Sequence, residues 1–443
     1  MCSAVLLFKD TMMTNNFYYA IVLFALLFFS FSLKAQTVEV EIKTNGDIKR
    51  ETIAVPEGMT YPIDSLLNDW HIKTYIDINK NCETAPANPQ YDDSTFIDRL
   101  QRIPAVIEMP YNPIVRKFID LYTERLRSQV SYMLSVSNFY IPIFETALDS
   151  YNLPLELKYL PIIESALNPI AVSRAGACGL WQFMINTSKL YGLETNSLID
   201  ERKDPVKSTW AAARYLKDLY EIYKDWNLTI AAYNCGPGNV NKAIRRAGGE
   251  TDYWKIYSHL PKETQGYVPA FIAANYVMHY YCDHNICAME TSIPESTDTI
   301  QVNQKLHFKQ IEELCGTNME ELKSLNPQYN TNVIPGDIKP YTLRLPLDQI
   351  SSFIEKQDTI YNHRSDELFQ RRTQVAVTPQ VKAAPKRKSP ATAQGKLVYH
   401  KIRSGETLST IAQKHKVTVR QLRQWNNIRG NKIIAGKSLK IYK

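Results

Sequence analysis

The sequence predicts a mainly α-helical domain followed by a small βααβ module. Between residues 96 and 151, apolar residues recur at spacings of three and four, which is typical of helices that pack against a core. This stripe consists of Val115, Phe118, Ile119, Tyr122 and Leu126. Asp204-Pro205 is typical of a helix start. Near the C terminus, residues 398–442 have the pattern of a strand, two helices and a closing strand.

The length of 443 residues exceeds that of one small domain and predicts roughly two to four units. The composition, 44% hydrophobic and 22% charged, is ordinary for a globular protein with a sizeable core. Residues 1–35 carry Lys9, an apolar run at 17–33 and a small residue at Ala35, which predicts a secretory signal peptide. An uncleaved membrane anchor is the alternative, and no cysteine directly follows the run to indicate a lipoprotein. Residues 36–94 form an N-terminal extension whose role the sequence does not indicate.

The best candidate for a catalytic residue is Glu164, in the stretch LELKYLPIIESALNPIAVSRAGACGLWQFM at residues 155–184. Pro161 and the following Asn168-Pro169 place Glu164 near a helix end. Its apolar neighbours, Ile162 and Ile163 among them, predict partial desolvation, which raises the pKa of a carboxyl group and suits it to act as an acid. Taken alone, a Glu-Ser pair is more often a solvated surface or helix-end carboxylate.

Four further signals follow in order. They are Ser173, then GLWQFM at 179–184, AYNCGPG at 232–238 and ETQGYV at 263–268. Alone, Tyr233-Asn234 would be interpreted as a core residue with a local cap. Together with Glu-Ser these motifs resemble the soluble-lytic-transglycosylase family of peptidoglycan-cleaving enzymes, and within it the membrane-bound transglycosylase D branch. The resemblance covers about 190 residues, and it predicts a lysozyme-like catalytic domain at residues 95–290.

The resemblance implies cleavage of the β-1,4 bond between N-acetylmuramic acid and N-acetylglucosamine, with a 1,6-anhydro product. Glu164 would act first as acid and then as base. Ser173 and Gln182 would hold N-acetyl or sugar groups, and Met184 would shape an apolar floor. The residues that would line the site and orient Glu164 are Tyr233, Asn234 and Tyr267. We expect no cofactor, and because the His residues are scattered without metal-ligand spacing, no metal.

Two other functions remain as alternatives. A goose-type hydrolase would use water and a second carboxylate, for which Asp200, Glu201 and Asp204 are the nearest candidates in sequence. A non-catalytic wall-binding protein would rely on its C-terminal modules alone. The intact Glu164 and GLWQ motif argue against that second alternative.

Residues 397–443 contain SGETL, a Trp-Asn-Asn sequence and a closing apolar strand, and they resemble a LysM domain, which binds N-acetylglucosamine-containing chains. The candidate glycan-binding residues are Gly405, Glu406, Thr407, Asn427 and Ile428. Residues 299–347 have a similar order without SGETL and are predicted to be a degenerate LysM-like unit. Residues 348–396 are predicted to be a connector that ends in a basic disordered linker at 371–396.

Charge is unevenly distributed along the chain. Residues 371–443 hold 18 Lys and Arg against one Glu, a net charge of +17, so the preceding residues carry −10 of the overall +7. In an exported protein this favours the anionic polymers and peptide carboxylates of a cell wall over nucleic acid, with a merely solvated tail as the alternative. We therefore expect peptidoglycan strands as partner, a monomer in the periplasm or cell envelope, and membrane contact only through an uncleaved signal segment.

Six cysteines remain after the signal segment, and an oxidising compartment permits disulfides. Six cysteines allow 15 connectivities, so spacing does not determine the pairing. The resemblance places Cys178 and Cys235 near the groove, where they could meet, and Cys282 and Cys287 could close a small loop. Free buried thiols are the alternative.

Overall fold

The computed structural model describes residues 37–44, 47–63, 66, 76–77, 87–291, 294, 296–369, 397–428, 430 and 433–442. The predicted signal peptide, the basic linker and Cys82 lie outside these residues. The chain forms two compact units, Met1–Phe369 and Gln370–Lys443. Across the described ranges, every helix is too short or too polar to cross a lipid bilayer.

The first unit is mainly helical. Its helices are α1 (Asp93–Arg102), α2 (Pro113–Asp120), α3 (Arg127–Ser150), α4 (Leu160–Ser165), α5 (Ile185–Leu190), α6 (Pro205–Tyr223), α7 (Trp226–Cys235), α8 (Pro237–Arg246), α9 (Tyr253–Ile256), α10 (Lys262–Tyr280), α11 (Phe308–Cys315), α12 (Met319–Leu325), α13 (Leu347–Glu355), α14 (Gln357–Asn362) and α15 (Ser365–Leu368). Its strands are β1 (Thr37–Thr44), β2 (Asp47–Ala54), β3 (Ile76–Asp77), β4 (Glu290–Thr291), β5 (Thr297–Val302), β6 (Lys305–His307), β7 (Val333–Pro335) and β8 (Tyr341–Pro346). All described strands pair antiparallel, in two-stranded sheets.

Helix α10 is the centre of the helical core, since its residues from Thr264 to Val277 are all buried. It packs against α2, α4, α7 and β2. The predicted apolar stripe is buried in the same cluster, which confirms its assignment to the core. The predicted helix start is also confirmed, because the Asp204 carboxylate accepts hydrogen bonds from the backbone N–H groups of Val206 and Lys207 at the start of α6.

The N-terminal extension packs on this core, although the sequence does not indicate a role for it. Strands β1 and β2 form a hairpin whose register runs from Thr37 opposite Ala54 to Thr44 opposite Asp47. Val40 and Ile53 of the hairpin join the helical core. A 3₁₀ turn, Glu57–Thr60, follows the hairpin and packs against α4.

The predicted LysM-like unit has its own apolar core and docks on the segment between α5 and α6. The N–H of Asp200 donates to the Gln328 carbonyl at 2.8 Å, and the N–H of Asn330 donates to the Leu198 carbonyl at 2.8 Å. Ile199 is buried in the LysM-like core itself. This core extends beyond residue 347, because it also contains Phe353, Ile360 and Tyr361. The predicted connector at 348–396 therefore begins as helix in its described part.

The second unit consists of β9 (Leu397–Lys401), α16 (Leu408–His415), α17 (Val419–Asn426) and β10 (Ser438–Tyr442). Strands β9 and β10 pair antiparallel around a small apolar cluster. One polar contact is the same in both LysM-type units. Asn426 donates to the Leu422 and Lys440 carbonyls and accepts from the Lys440 N–H, and Asn326 makes the same three bonds with Leu322 and Arg344. Pro327-Gln328 therefore corresponds to Asn427-Ile428.

Two expectations are corrected here. The five described cysteines are free thiols, so neither Cys178–Cys235 nor Cys282–Cys287 is a disulfide. The Cys178 Sγ contacts Asp200, whereas the Cys235 Sγ contacts the Gly236 carbonyl at the end of α7. The stretch that leads to Glu164 begins as a 3₁₀ turn, Leu155–Tyr159, and continues as α4, with Pro161 in the first turn of the α-helix.

The shared asparagine contact leads to a stability prediction. Asn326 is 1% exposed and joins α12 to β8, so Asn326→Ala leaves buried backbone groups without partners. We expect the free energy of unfolding to fall by roughly 2 kcal/mol, measured by urea titration with tryptophan fluorescence. Asn362→Ala is the matched control, because Asn362 is exposed and its side chain bonds only within its own helix, to the Asp358 carbonyl. Equal effects of the two substitutions would contradict this interpretation.

Candidate active site

A cleft of about 400 Å³ opens on the helical domain. It is lined by α4, the loop from Ser173 to Met184, the end of α7 and the start of α10. All seven predicted site residues of this domain line it: Glu164, Ser173, Gln182, Met184, Tyr233, Asn234 and Tyr267. Residues that are far apart in sequence are therefore brought together as the motif order predicted.

Glu164 lies in the last turn of α4, as its prolines predicted. The helix ends because Ala166 and Leu167 have φ values of 50° and 61°, in the left-handed region. The buried Ser165 hydroxyl holds this reversal in place, since it lies 2.9 Å from the Leu180 carbonyl and 3.0 Å from the Pro161 carbonyl. The side chain of Glu164 is thereby aimed into the cleft.

The carboxyl of Glu164 accepts a hydrogen bond from the Tyr267 hydroxyl. Burial raises the pKa of Glu164 to about 8, against a smaller lowering by the Tyr267 bond. Two carboxylates at the cleft, Glu263 and Glu57, raise this pKa further. The predicted direction is confirmed, and the carboxyl is protonated at neutral pH.

Two phenols accompany Glu164. Burial raises the pKa of both Tyr233 and Tyr267 well above the ordinary value, and the nearby Glu164 raises it further. The Tyr233 hydroxyl donates to the Trp181 carbonyl at 2.8 Å rather than to Glu164. Both tyrosines are therefore neutral donors, and Tyr267 alone of the two bonds the carboxyl.

The loop with the GLWQFM motif is fixed by contacts with buried groups. Trp181 is fully buried, and its indole N–H donates to the Thr209 hydroxyl at 2.9 Å. Gly179 has a φ of 87°, and a Cβ there would lie 1.8 Å from the Arg202 carbonyl oxygen, so only glycine fits. The Arg202 guanidinium donates to the Phe183 and Gly176 carbonyls, and the buried carboxylate of Asp200 pairs with it.

The polar side chains of this loop have defined partners. The Gln182 amide N–H₂ donates to the Ala171 carbonyl at 3.2 Å and to the Gly179 carbonyl at 2.8 Å. The Ser173 hydroxyl accepts from the Ala177 N–H at 3.0 Å. Met184 is 44% exposed, so it lines the cleft as an open surface and not as a buried floor. At the end of α7, the Asn234 amide oxygen accepts from the Thr264 hydroxyl.

The second carboxylates considered for a hydrolase are structural. Asp200 pairs with Arg202, Glu201 pairs with Lys207, and Asp204 caps α6. They are absent from the residues that line the cleft, whereas Glu57 and Glu263 line it. Glu263 lies within the quoted ETQGYV motif, and Glu57 lies in the extension, where no motif marks it.

The candidate LysM residues lie in two loops of the second unit. Gly405, Thr407 and Asn427 are exposed, and Ile428 packs on the LysM core. The Glu406 carboxylate accepts from the Arg403 N–H at 2.8 Å and lies 2.9 Å from the His400 Nε2. Thr407 caps α16. The side chains of Glu406 and Thr407 thus stabilise the loop itself.

Comparison with known families agrees with this geometry. A transglycosylase SLT domain matches residues 142–256, a LysM-like domain of lytic transglycosylase MltD matches residues 296–362, and a LysM domain matches residues 400–441. The chain therefore contains a transglycosylase SLT domain and two LysM-type modules. This confirms the predicted resemblance, and the observed helices confirm the mainly α fold class.

More particularly, the chain is homologous to membrane-bound lytic murein transglycosylase D of Escherichia coli strain K12. The two are 30% identical over 294 residues, which is 66% of this chain and 60% of that protein. Membrane-bound lytic murein transglycosylase F of Maricaulis maris is 36% identical over 129 residues, 26% of each chain. The crystal structure of the 70 kDa soluble lytic transglycosylase of Escherichia coli aligns at 26% identity with a TM-score of 0.29, over 33% of this chain and 25% of that one.

The raised pKa of Glu164 predicts a pH-dependent stability. Between its ordinary value of 4.5 and about 8, the folded chain holds a proton that the unfolded chain has lost, so the contribution of Glu164 to stability falls as pH rises through this window. Glu164→Gln has no such proton. We expect its Tm to rise relative to wild type between pH 5 and pH 8, measured by differential scanning calorimetry.

The control is Glu124→Gln, at an exposed position on the π-helical turn Leu121–Arg125. It should follow the wild-type pH dependence. A constant difference in Tm between Glu164→Gln and wild type across this range would show that the Glu164 pKa is not raised.

Proposed function

We propose that this protein is a peptidoglycan lytic transglycosylase that cleaves the β-1,4 bond between N-acetylmuramic acid and N-acetylglucosamine and leaves 1,6-anhydromuramic acid ends. The observation that carries this proposal is the carboxyl of Glu164. It lies in a cleft, it is protonated at neutral pH, and a neutral phenol binds it. Homology to lytic murein transglycosylases supports the substrate class.

The proposed reaction uses one carboxyl group twice. Glu164 gives its proton to the glycosidic oxygen, and the bond to C1 of the muramic acid breaks as an oxocarbenium-like state develops. The N-acetyl group of the substrate stabilises that state. The Glu164 carboxylate then takes the proton of the C6 hydroxyl, and O6 bonds to C1. Glu164 ends the cycle protonated, and no water is consumed.

Tyr267 suits both halves of this cycle. Its hydroxyl is a donor that stays neutral, because burial holds its pKa well above the ordinary value. A donor of this kind stabilises the carboxylate that forms after the first proton transfer. The bond to Tyr267 also fixes the direction of the carboxyl.

Ser173 and Gln182 offer polar groups to the sugar. The Ser173 hydroxyl accepts from the Ala177 N–H, so its own proton is directed to another acceptor, such as an N-acetyl carbonyl. Both amide hydrogens of Gln182 go to backbone carbonyls, which leaves the amide oxygen to accept from a substrate N–H or hydroxyl. Tyr233, Asn234 and Met184 complete the walls.

The modular organisation supports action on a wall. We propose that the LysM module binds glycan through Gly405, Glu406, Thr407, Asn427 and Ile428, that the basic residues after Gln370 add attraction to anionic wall polymers, and that the chain acts in the cell envelope as a monomer without a cofactor. An N-terminal signal segment would deliver it there.

The test of this function is the product. Purified protein incubated with peptidoglycan should release 1,6-anhydromuropeptides, and mass spectrometry identifies each because it is lighter than the hydrolysis product by one water. Glu164→Gln has the same shape and cannot cycle between acid and base, so turnover should fall by a factor on the order of 10³ or more.

Products with reducing ends alone would instead indicate a hydrolase, with Glu57 or Glu263 of the cleft as the second carboxylate. Full turnover by Glu164→Gln would refute the role of Glu164. A wild-type protein that binds sacculi without releasing any muropeptide would favour the wall-binding alternative.

The role of the LysM module predicts a substrate-dependent effect of truncation. A chain that ends at Gln370 should cleave soluble glycan strands nearly as fast as the full chain, because the cleft lies wholly in the first unit. It should cleave insoluble sacculi more slowly, since the module raises the local concentration of enzyme at the wall. Turbidity clearance and soluble-product assays measure the two rates.

Binding of residues 396–443 alone to sacculi separates charge from sugar recognition. Electrostatic binding weakens with added salt, whereas LysM binding persists and is competed by chitin oligomers. Absence of binding by this fragment under every condition would refute anchoring.

A further inference from the structure

The N-terminal extension reaches the cleft itself. We call residues 55–60, which connect the hairpin to the core, the strap. Val55, Pro56, Gly58 and Met59 of the strap are buried. The side chain of Glu57 points the other way, lines the cleft beside Glu164 and Ser173, and is 38% exposed.

Gly58 brings the strap directly against the backbone of Glu164. A Cβ at Gly58 would lie 2.3 Å from the Glu164 carbonyl carbon and 2.4 Å from the Ile163 carbonyl oxygen, so no side chain fits there. A second close approach lies one residue before Tyr267. A Cβ at Gly266 would lie 2.2 Å from the Ala54 carbonyl oxygen, immediately before the strap. The extension therefore supports both members of the Glu164–Tyr267 pair.

Among the described residues, only one of the two carboxylate oxygens of Glu57 accepts a hydrogen bond. Its Oε1 accepts from the Arg174 N–H at 3.2 Å and lies 4.0 Å from the Arg174 guanidinium. Its Oε2 has no donor among the residues that the structure describes. Arg174 is itself 66% exposed, and an ion pair this open contributes little to stability. The apolar side chains of Val55 and Met59 hold the strap in place without it.

A carboxylate oxygen at the wall of a glycan cleft is suited to accept hydrogen bonds. Sugar hydroxyls and the N–H of an N-acetyl group are the donors that such a substrate offers. Ser173, one residue from Arg174, lines the same side of the cleft. The free oxygen of Glu57 and the hydroxyl of Ser173 are thus complementary, one as acceptor and the other as donor.

We propose that the strap is part of the active site: Glu57 is a substrate-binding residue that accepts a hydrogen bond from a hydroxyl or amide N–H of the glycan, and Gly58 seats the strap so that it positions Glu164. This inference rests on the proposed function. The N-terminal extension then contributes to substrate binding through Glu57 and to positioning of the general acid through Gly58.

The test for Glu57 uses soluble glycan strands and the full chain. Glu57→Ala removes the acceptor, and kcat/KM should fall roughly 10-fold or more, mainly through KM, with an unchanged Tm. Glu57→Gln restores an acceptor and should recover part of this loss. Glu41→Gln, an exposed carboxylate on β1 paired with Arg50, is the matched control and should match wild type.

The charge of Glu57 can be tested by a second measurement, the pH dependence of kcat/KM. The groups that face Glu164 are Glu57 from the strap, Glu263 and Tyr267 from α10, and Tyr233 from α7. Removal of one negative charge from this set favours ionisation of Glu164, so the alkaline limb of the kcat/KM profile should move to lower pH in both Glu57 variants. A purely structural role would not move it.

The variant Gly58→Ala tests whether the close approach of the strap at Gly58 positions Glu164. We expect kcat to fall at least 10-fold with a smaller change in KM, because the added methyl group displaces the Glu164 backbone. If this variant does not fold, the Glu57 variants decide. Wild-type kinetics and pH profiles in both Glu57 variants would overturn the proposal, and wild-type kcat in a folded Gly58→Ala would overturn its positioning part. An inactive wild type would refute the proposed function instead.

Discussion

The cleft of the first unit is organised around one carboxylic acid at the end of a short helix. A buried carboxyl is tolerated in its neutral form, which burial and the nearby carboxylates of Glu57 and Glu263 favour. Tyr267 holds this carboxyl by a hydrogen bond and keeps its own proton because its pKa is raised, and Ser165 fixes the reversal that aims Glu164 into the cleft. The two glycines at Gly58 and Gly266 let backbone, which carries no charge, cover the rear of the pair.

Buried residues behind the cleft also support the site. The GLWQFM loop rests on Trp181 and on Arg202, whose guanidinium spans two loop carbonyls. Asp200 pairs with Arg202 through its side chain and with the LysM-like unit through its backbone N–H. The short segment between α5 and α6 therefore connects the cleft to the first LysM-type unit, and its charged residues Asp200, Glu201 and Asp204 are structural.

Much of the site is predictable because its signals are local. Prolines around Glu164 indicate the helix end, its apolar neighbours indicate the raised pKa, and Asp204-Pro205 indicates the start of α6. Contacts between distant segments leave no such local signal. Glu57 and Arg174 are 117 residues apart, and the extension has no motif, so the sequence does not indicate its part in the cleft. The proposed disulfides were wrong for a related reason, since proximity of two segments does not determine where their thiols point.

The LysM-like unit is not an independent module. In the C-terminal module, Asn427 is at the surface, whereas the corresponding Pro327-Gln328 is buried where the LysM-like unit meets the segment between α5 and α6. That edge is covered by the segment between α5 and α6. A fragment cut ahead of Thr297 would also expose the apolar side chain of Ile199, now enclosed in the LysM-like core. The smallest fragment that keeps these contacts therefore extends to Phe369, and the LysM-like unit is a structural part of the first unit.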